Sequence, residues 1–258
     1  MRFPLASLLL LTALPALAQG VESHWYLDVH RFTPSLSGHY QGTSDGNPFL
    51  VDLKDDLALA KDKTKIGYGL EYQGTRFGLE LSRDEQDYAG SNRVQRPVTI
   101  NGTTYNANTL VTSTFKATND TLNWTIRYLT WPQFWLGLDL GARATETEIH
   151  AVGTSGLLAS AAAVDYKTTL PIPQVGPSLG FIAMRGRVVG RAMFHLLAYK
   201  GSSYTHSGAD LRFFPLSWLG VRAFVDAEHF RVPKGSIKSD LDITLDRSGA
   251  GLGVVARF

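Results

Sequence analysis

The sequence predicts an all-β fold, a closed antiparallel transmembrane β-barrel of ten strands, with eight and twelve as the neighbouring even counts. Three observations predict it. Apolar residues recur at every second position through most of the chain, the period of a strand whose two faces meet different surroundings. The segments so patterned are joined mostly by short turns and long polar stretches in alternation. Beyond the N terminus no stretch holds the roughly 20 continuous apolar residues of a membrane helix.

The N terminus reads as an export signal. Arg2 gives it a charge, residues 4–14 an apolar stretch, and Ala16-Leu17-Ala18 a small-x-small cleavage site before Gln19. Residues 1–18 are therefore set apart as a signal peptide, and residues 19–258 form one barrel domain. Cysteine is absent, which excludes a disulfide scaffold and a thiolate metal cluster. The balance of 25 Lys and Arg against 23 Asp and Glu gives no electrostatic case for nucleic acid.

The strands follow in order. Residues 24–36 place Trp25, Leu27 and Val29 on one face and Tyr26, Asp28 and His30 on the other. Residues 42–64 form a polar first loop, with a helical turn or structured loop at 53–57. Residues 65–72 and 76–88 are a hairpin about Gln73-Gly74-Thr75. In the second loop, 89–108, Asn101-Gly102 between β-formers marks a small projecting hairpin. Residues 110–130 change apolar parity midway: Val111 and Phe115 are odd, Leu122, Trp124, Ile126 and Tyr128 even. One inserted residue around 116–119, a β-bulge, would restore a single face. After Trp131-Pro132-Gln133, residues 134–148 alternate cleanly.

A third loop at 149–169 holds a small-residue run at 157–164 with room for a short helix. Residues 170–184 carry Pro171, Pro173 and Pro177, and Pro177 needs an irregular or unpaired position in a ladder. Residues 187–199, 205–214 and 219–230 are the next three strands, the first two joined by an unusually short outer loop at 200–204. The last strand, 241–258, again switches parity, from Leu241, Ile243 and Leu245 to Ala250, Leu252, Val254 and Ala256. A second bulge near 247–249 would reconcile the halves. Tyr72, Phe77, Trp131, Phe134, Trp135, Phe213, Phe214, Trp218 and Phe258 gather at the short-turn end, as an aromatic girdle requires.

With the apolar faces turned to lipid, charge of both signs is enclosed. Asp28, Glu71, Glu80, Asp139, Asp210, Asp226 and Glu228 face Arg127, Arg143, Arg191, Arg212 and Arg222. Enclosed charges must be paired or hydrated, so the reading is a salt-bridged interior, with a narrow, gated, porin-like path as the alternative. Candidate catalytic groups are His206, Ser207, Asp210 and Asp226, with His229 nearby in strand order. A His beside a carboxylate can polarise a nucleophile, but His206 and Ser207 are adjacent and point to opposite faces of a strand. No His/Asp/Glu spacing reads as a metal site, no cofactor motif appears, and Asp55, Asp56 and Asp62 read as a solvated acidic loop. There is no phosphate loop and no Gly-x-Ser-x-Gly elbow.

The final decapeptide, Gly249-Ala250-Gly251-Leu252-Gly253-Val254-Val255-Ala256-Arg257-Phe258, resembles the C-terminal signal of small bacterial outer-membrane β-barrel proteins, with Leu252, Val254, Ala256 and Phe258 as its recurring positions. The resemblance covers residues 24–258 as architecture. It implies an exported protein of the Gram-negative cell outer membrane, inserted by the barrel-assembly machinery with periplasmic chaperones and embedded against lipopolysaccharide. A monomer is expected. It implies no single activity. The expected role is structural, surface-interacting or limited small-solute transport rather than enzymatic. The alternatives are a membrane-embedded hydrolase, compared with lipid A deacylases through His206 and Ser207, and a soluble periplasmic β-barrel binding protein.

Overall fold

The computed structural model describes residues 23–44, 47–59, 61–100, 103–154, 162–199, 201–235 and 242–258. The signal segment, Asn101-Gly102 and residues 157–161 of the short helix expected at 157–164 lie outside them; residues 162–164 are strand instead of helix. The first half of the chain supplies β1 (His24–Ser44), β2 (Asn47–Asp52), β3 (Lys61–Thr64), β4 (Ile66–Gln73), β5 (Phe77–Arg93), β6 (Val98–Ile100), β7 (Thr103–Tyr105) and β8 (Leu110–Thr130). The second half supplies β9 (Phe134–Thr154), β10 (Ala162–Ala183), β11 (Val188–Tyr199), β12 (Ser202–Phe213), β13 (Leu219–Val232) and β14 (Asp242–Arg257).

Ten of these form the wall, as a meander through β1, β4, β5 and β8 to β14 that closes where β14 pairs with β1. The predicted closed antiparallel barrel and its strand count both hold. At the seam the Trp25 N–H donates to the Phe258 carbonyl (2.8 Å) and the Phe258 N–H to the Trp25 carbonyl (3.0 Å). β2 lies on the upper half of β1, β3 continues β4 along β5, and β6 pairs with β7.

Neither expected bulge exists. β8 keeps unbroken register with β5 from residue 110 to 126, and β14 keeps it with both neighbours through 247–249. The one irregularity in β8 falls at Arg127/Leu129. Odd residues point inward along β14 and along β8 as far as Arg127. What inverts is the solvent. About 9–11 tilted residues cross a bilayer, so a 21-residue strand such as β8 continues well beyond it. In the lower half the outside is lipid, and Leu122, Trp124, Leu252 and Val254 cover it. In the upper half the outside is water, and the apolar side chains move in. Val111, Phe115, Tyr88, Leu36 and Ala151 form a core there, joined by Leu245.

That core is completed from a loop. Residues 53–59 fold as turns rather than a helix and bury Leu53, Leu57 and Leu59 at 0–1 % exposure against Val94, Val111 and Phe115. Ser113 Oγ donates to the Leu57 carbonyl (2.9 Å), Asn92 Nδ2 to the Asp55 carbonyl (2.5 Å), and Arg96 pairs with Asp56 (2.7 Å). Asp56 is thus a structural anchor of the loop.

The opposite end is shut by aromatic rings and guanidinium groups. Trp135 and Phe214, expected in the girdle, are 3 % and 0 % exposed and lie inside. Arg127 stacks on Trp135, and Arg257 on Phe214, which packs with Tyr26, Val189 and Val255. Among the other girdle residues Phe77, Trp131, Phe134, Phe213, Trp218 and Phe258 are exposed, as lipid-facing rings must be.

Pro171, Pro173 and Pro177 share one parity, point outward and sit in a strand fully paired with β9. Alternate residues of a strand aim their N–H groups at the same neighbour. The ladder from β10 to β11 runs only from Ser178↔Met193 to Ala183↔Val188. The prolines therefore occupy the side where β10 has no partner, which is the locally unpaired position Pro177 required.

Candidate functional site

Between the apolar cap above and the aromatic plate below lies a polar lumen. All the charged groups assigned to the interior reach it. In its lower part Arg191 bridges Glu80 (2.7 Å) and Asp139 (2.8 Å). Asp139, 0 % exposed, also accepts from Thr125 (2.7 Å) and Ser178 (2.7 Å) and contacts His195 Nε2 (3.1 Å). Arg212 joins Glu71 (2.5 Å) to Asp210 (2.9 Å), and Arg222 holds Asp28 (3.1 Å). His30 stands between Asp28 (2.5 Å) and Asp84 (2.8 Å), one carboxylate at each ring nitrogen. Both ring nitrogens of His30 thus have a carboxylate partner. Space for the trio comes from β4: a Cβ at Gly67 would strike His30 and Asp84, and one at Gly69 would strike Asp28.

The second cluster stands on β11, β12 and β13. His206 Nε2 lies 2.5 Å from Asp226 Oδ2 and 4.0 Å from Glu228. Glu228 is held by Arg143 and by Arg247 (2.8 Å) and accepts from the Tyr204 hydroxyl (3.0 Å), to which Gln174 donates (3.0 Å). His30, Asp84, Asp226, His195 and His206 line one cavity of about 70 Å³.

Of the four catalytic candidates, the fold brings together only His206 and Asp226. Ser207 points outward, opposite Ala227 and Phe194, and Asp210 is committed to Arg212. His229 pairs with Asp246 (2.6 Å) on the exposed surface. A His206–Ser207 couple therefore does not exist in the fold. What sequence reasoning missed is the grouping of His206, Asp226 and Glu228, whose ligand-type atoms lie within 4.8 Å of one another. The signal was available in the turn after Phe213: pairing Phe213 with Val221 places His206 directly opposite Glu228.

No protein-family model matches the chain, and no curated protein sequence matches it. Solved structures do. The outer membrane protease OmpT of Escherichia coli superposes with a TM-score of 0.62 at 9% identity, over 96% of this chain and 100% of that one. The attachment invasion locus protein Ail of Yersinia pestis reaches 0.34 at 13% identity, covering 92% and 100%. The translocator domain of the autotransporter NalP from Neisseria meningitidis reaches 0.40 at 8% identity, covering 89% and 87%. At such identities the first likeness defines the fold, that of an outer-membrane β-barrel, and the other two carry no argument.

Proposed function

We propose that this protein is an outer-membrane barrel whose role is to hold a rigid platform outside the cell, in surface interaction, and that its lumen is not a solute path. The observation that carries this reading is the apolar core above the membrane belt. A conduit gains nothing from a hydrophobic stopper built of three loop leucines, whereas a platform gains stiffness from it. The salt-bridged middle and the aromatic plate support the same reading from below. The outward belt of Trp25, Leu27, Val29, Leu122, Trp124, Leu252 and Val254 supports membrane embedding over a soluble periplasmic form. Export behind a cleaved signal peptide, assembly through the Leu252, Val254, Ala256 and Phe258 signal, and lipopolysaccharide as the surrounding lipid belong to the same proposal.

A hydrolase is the second reading, favoured by one observation, the His206–Asp226 contact. It lacks a positioned hydroxyl, because Ser207 faces away. The protease whose barrel it resembles lends a precedent for catalysis on this fold and no residues.

The chain has no cysteine, so single introduced thiols report topology. Asn106→Cys, exposed at the long-loop end, is expected to react with a membrane-impermeant maleimide on intact cells. Arg185→Cys, at the short-turn end, is expected to react only after the outer membrane is permeabilised. Labelling of Arg185→Cys alone on intact cells would overturn the platform reading.

A further inference from the structure

Three adjacent strands deliver metal-ligating side chains to one place in the lumen. The β11–β12 register sets His195 opposite His206, and the β12–β13 register sets His206 opposite Glu228. Asp226, two residues before Glu228, shares its inward face. In a tetrahedral site with N and O donors at about 2.0–2.2 Å, neighbouring donor atoms stand roughly 3.3 Å apart. The observed 2.5 Å from His206 to Asp226 and 4.0 Å from His206 to Glu228 bracket that spacing. Small side-chain rotations would open one gap and close the other.

A second, independent observation points to a ligand. His195 is 1 % exposed, and its Nδ1 has no hydrogen-bond partner; neither has Oδ1 of Asp226. Leaving such an atom unsatisfied forfeits the hydrogen bond it would make in water. The His195 ring stands edge-on to His206 at 5.4 Å between centroids, with Asp139 holding its other nitrogen at 3.1 Å. A carboxylate on the far nitrogen is the arrangement that fixes a metal-binding imidazole. His195, His206 and Asp226 all line the same cavity.

We infer that the lumen contains a divalent transition-metal site of the zinc class, ligated by His206, Asp226 and Glu228, with His195 lining the same cavity beside it. Imidazole with carboxylate is a donor set for zinc and its neighbours rather than for magnesium. Arg247 is the competitor. It lies 2.8 Å from Glu228 and 3.6 Å from Asp226, and it neutralises the carboxylates that the ion would take. Arg143 holds Glu228 as well. The ion therefore binds by displacing one guanidinium, and affinity must rise when Arg247 is made neutral. This inference is independent of the platform reading.

The test uses the refolded full chain, its folding confirmed by heat-modifiable migration. It is exposed to zinc chloride or magnesium chloride, desalted and assayed for metal by mass spectrometry. One zinc and no magnesium per chain is expected. His206→Ala and Asp226→Asn should weaken zinc binding by more than about 100-fold, beyond the cost of losing an outer-shell partner. Arg247→Gln should tighten it, and Asp246→Asn, on the exposed His229 pair, should leave it unchanged. No zinc on the folded chain, zinc that survives His206→Ala, or zinc lost with Asp246→Asn would overturn the inference. Should a lumen variant fail to fold, the cobalt(II) spectrum of the unaltered protein decides. Intense tetrahedral d–d bands support the site, and a pale hexa-aqua spectrum contradicts it.

Discussion

Replacing Leu57 by alanine tests what holds the apolar cap at the long-loop end of the barrel. Leu57 is 1 % exposed among Leu53, Leu59, Val94, Val111 and Phe115. Truncating a buried leucine costs about 2–5 kcal/mol, the upper end applying where the surroundings cannot collapse. The barrel wall on three sides is fixed by its ladders, so little collapse is available. The polar ties contribute less: Arg96 is 44% exposed in its pair with Asp56, and such pairs give about 0–1 kcal/mol. Removing Leu57 should therefore release the loop while the barrel stays closed. The amides of Leu53, Leu57 and Leu59 donate to Gly38, Asp52 and Leu53 carbonyls, so they report this opening directly. At about 1.4 kcal/mol per tenfold, their hydrogen exchange should accelerate by roughly 30- to 4,000-fold. Amides of the β9–β10 ladder should not change. Unaltered protection at residues 53–59 in the variant would refute the cap as an apolar-packing device.

Other outcomes follow from single contacts. Asp139→Asn leaves Arg191 short of a partner in a buried site and should destabilise the refolded barrel by about 3–5 kcal/mol in urea titration. Leu252→Arg, 70 % exposed on the lipid face, should cost up to about 2–4 kcal/mol depending on depth, whereas Ser248→Arg, higher on the same face, should cost much less. Gly69→Val puts a side chain into the Asp28 carboxylate, should push it off His30 and Arg222, and should lower the urea midpoint of the refolded barrel. Above the belt, Lys167 beside Glu148 (3.0 Å) holds that carboxyl below the ordinary glutamate value. Its NMR titration midpoint should move up in Lys167→Gln.

The membrane half of the fold was legible because its rule is simple: apolar out, polar in, alternate residues. Trp25, Leu27 and Val29 against Tyr26, Asp28 and His30 state it within one segment, and the short turns at Gly74 and Pro132 set the strand order. The upper half obeys the opposite rule, since water rather than lipid lies outside. Read with one rule, Phe115 and Leu245 demanded bulges; read with two, they are core residues of an extension above the belt. Trp135 and Phe214 were misplaced for a related reason. Position along a strand located them at the short-turn end, but only strand register tells whether a ring at that end faces lipid or closes the lumen. The His206, Asp226 and Glu228 grouping was hidden because it spans a hairpin, and no spacing within a single strand encodes it.

The central claim is that the lumen is closed at both ends. Conductance of the refolded protein in a planar bilayer, with insertion and folding verified on the same preparation, tests it most directly. The account predicts baseline current at every applied voltage. Reproducible unitary steps from the folded protein would contradict it and make the charged interior the lining of a channel.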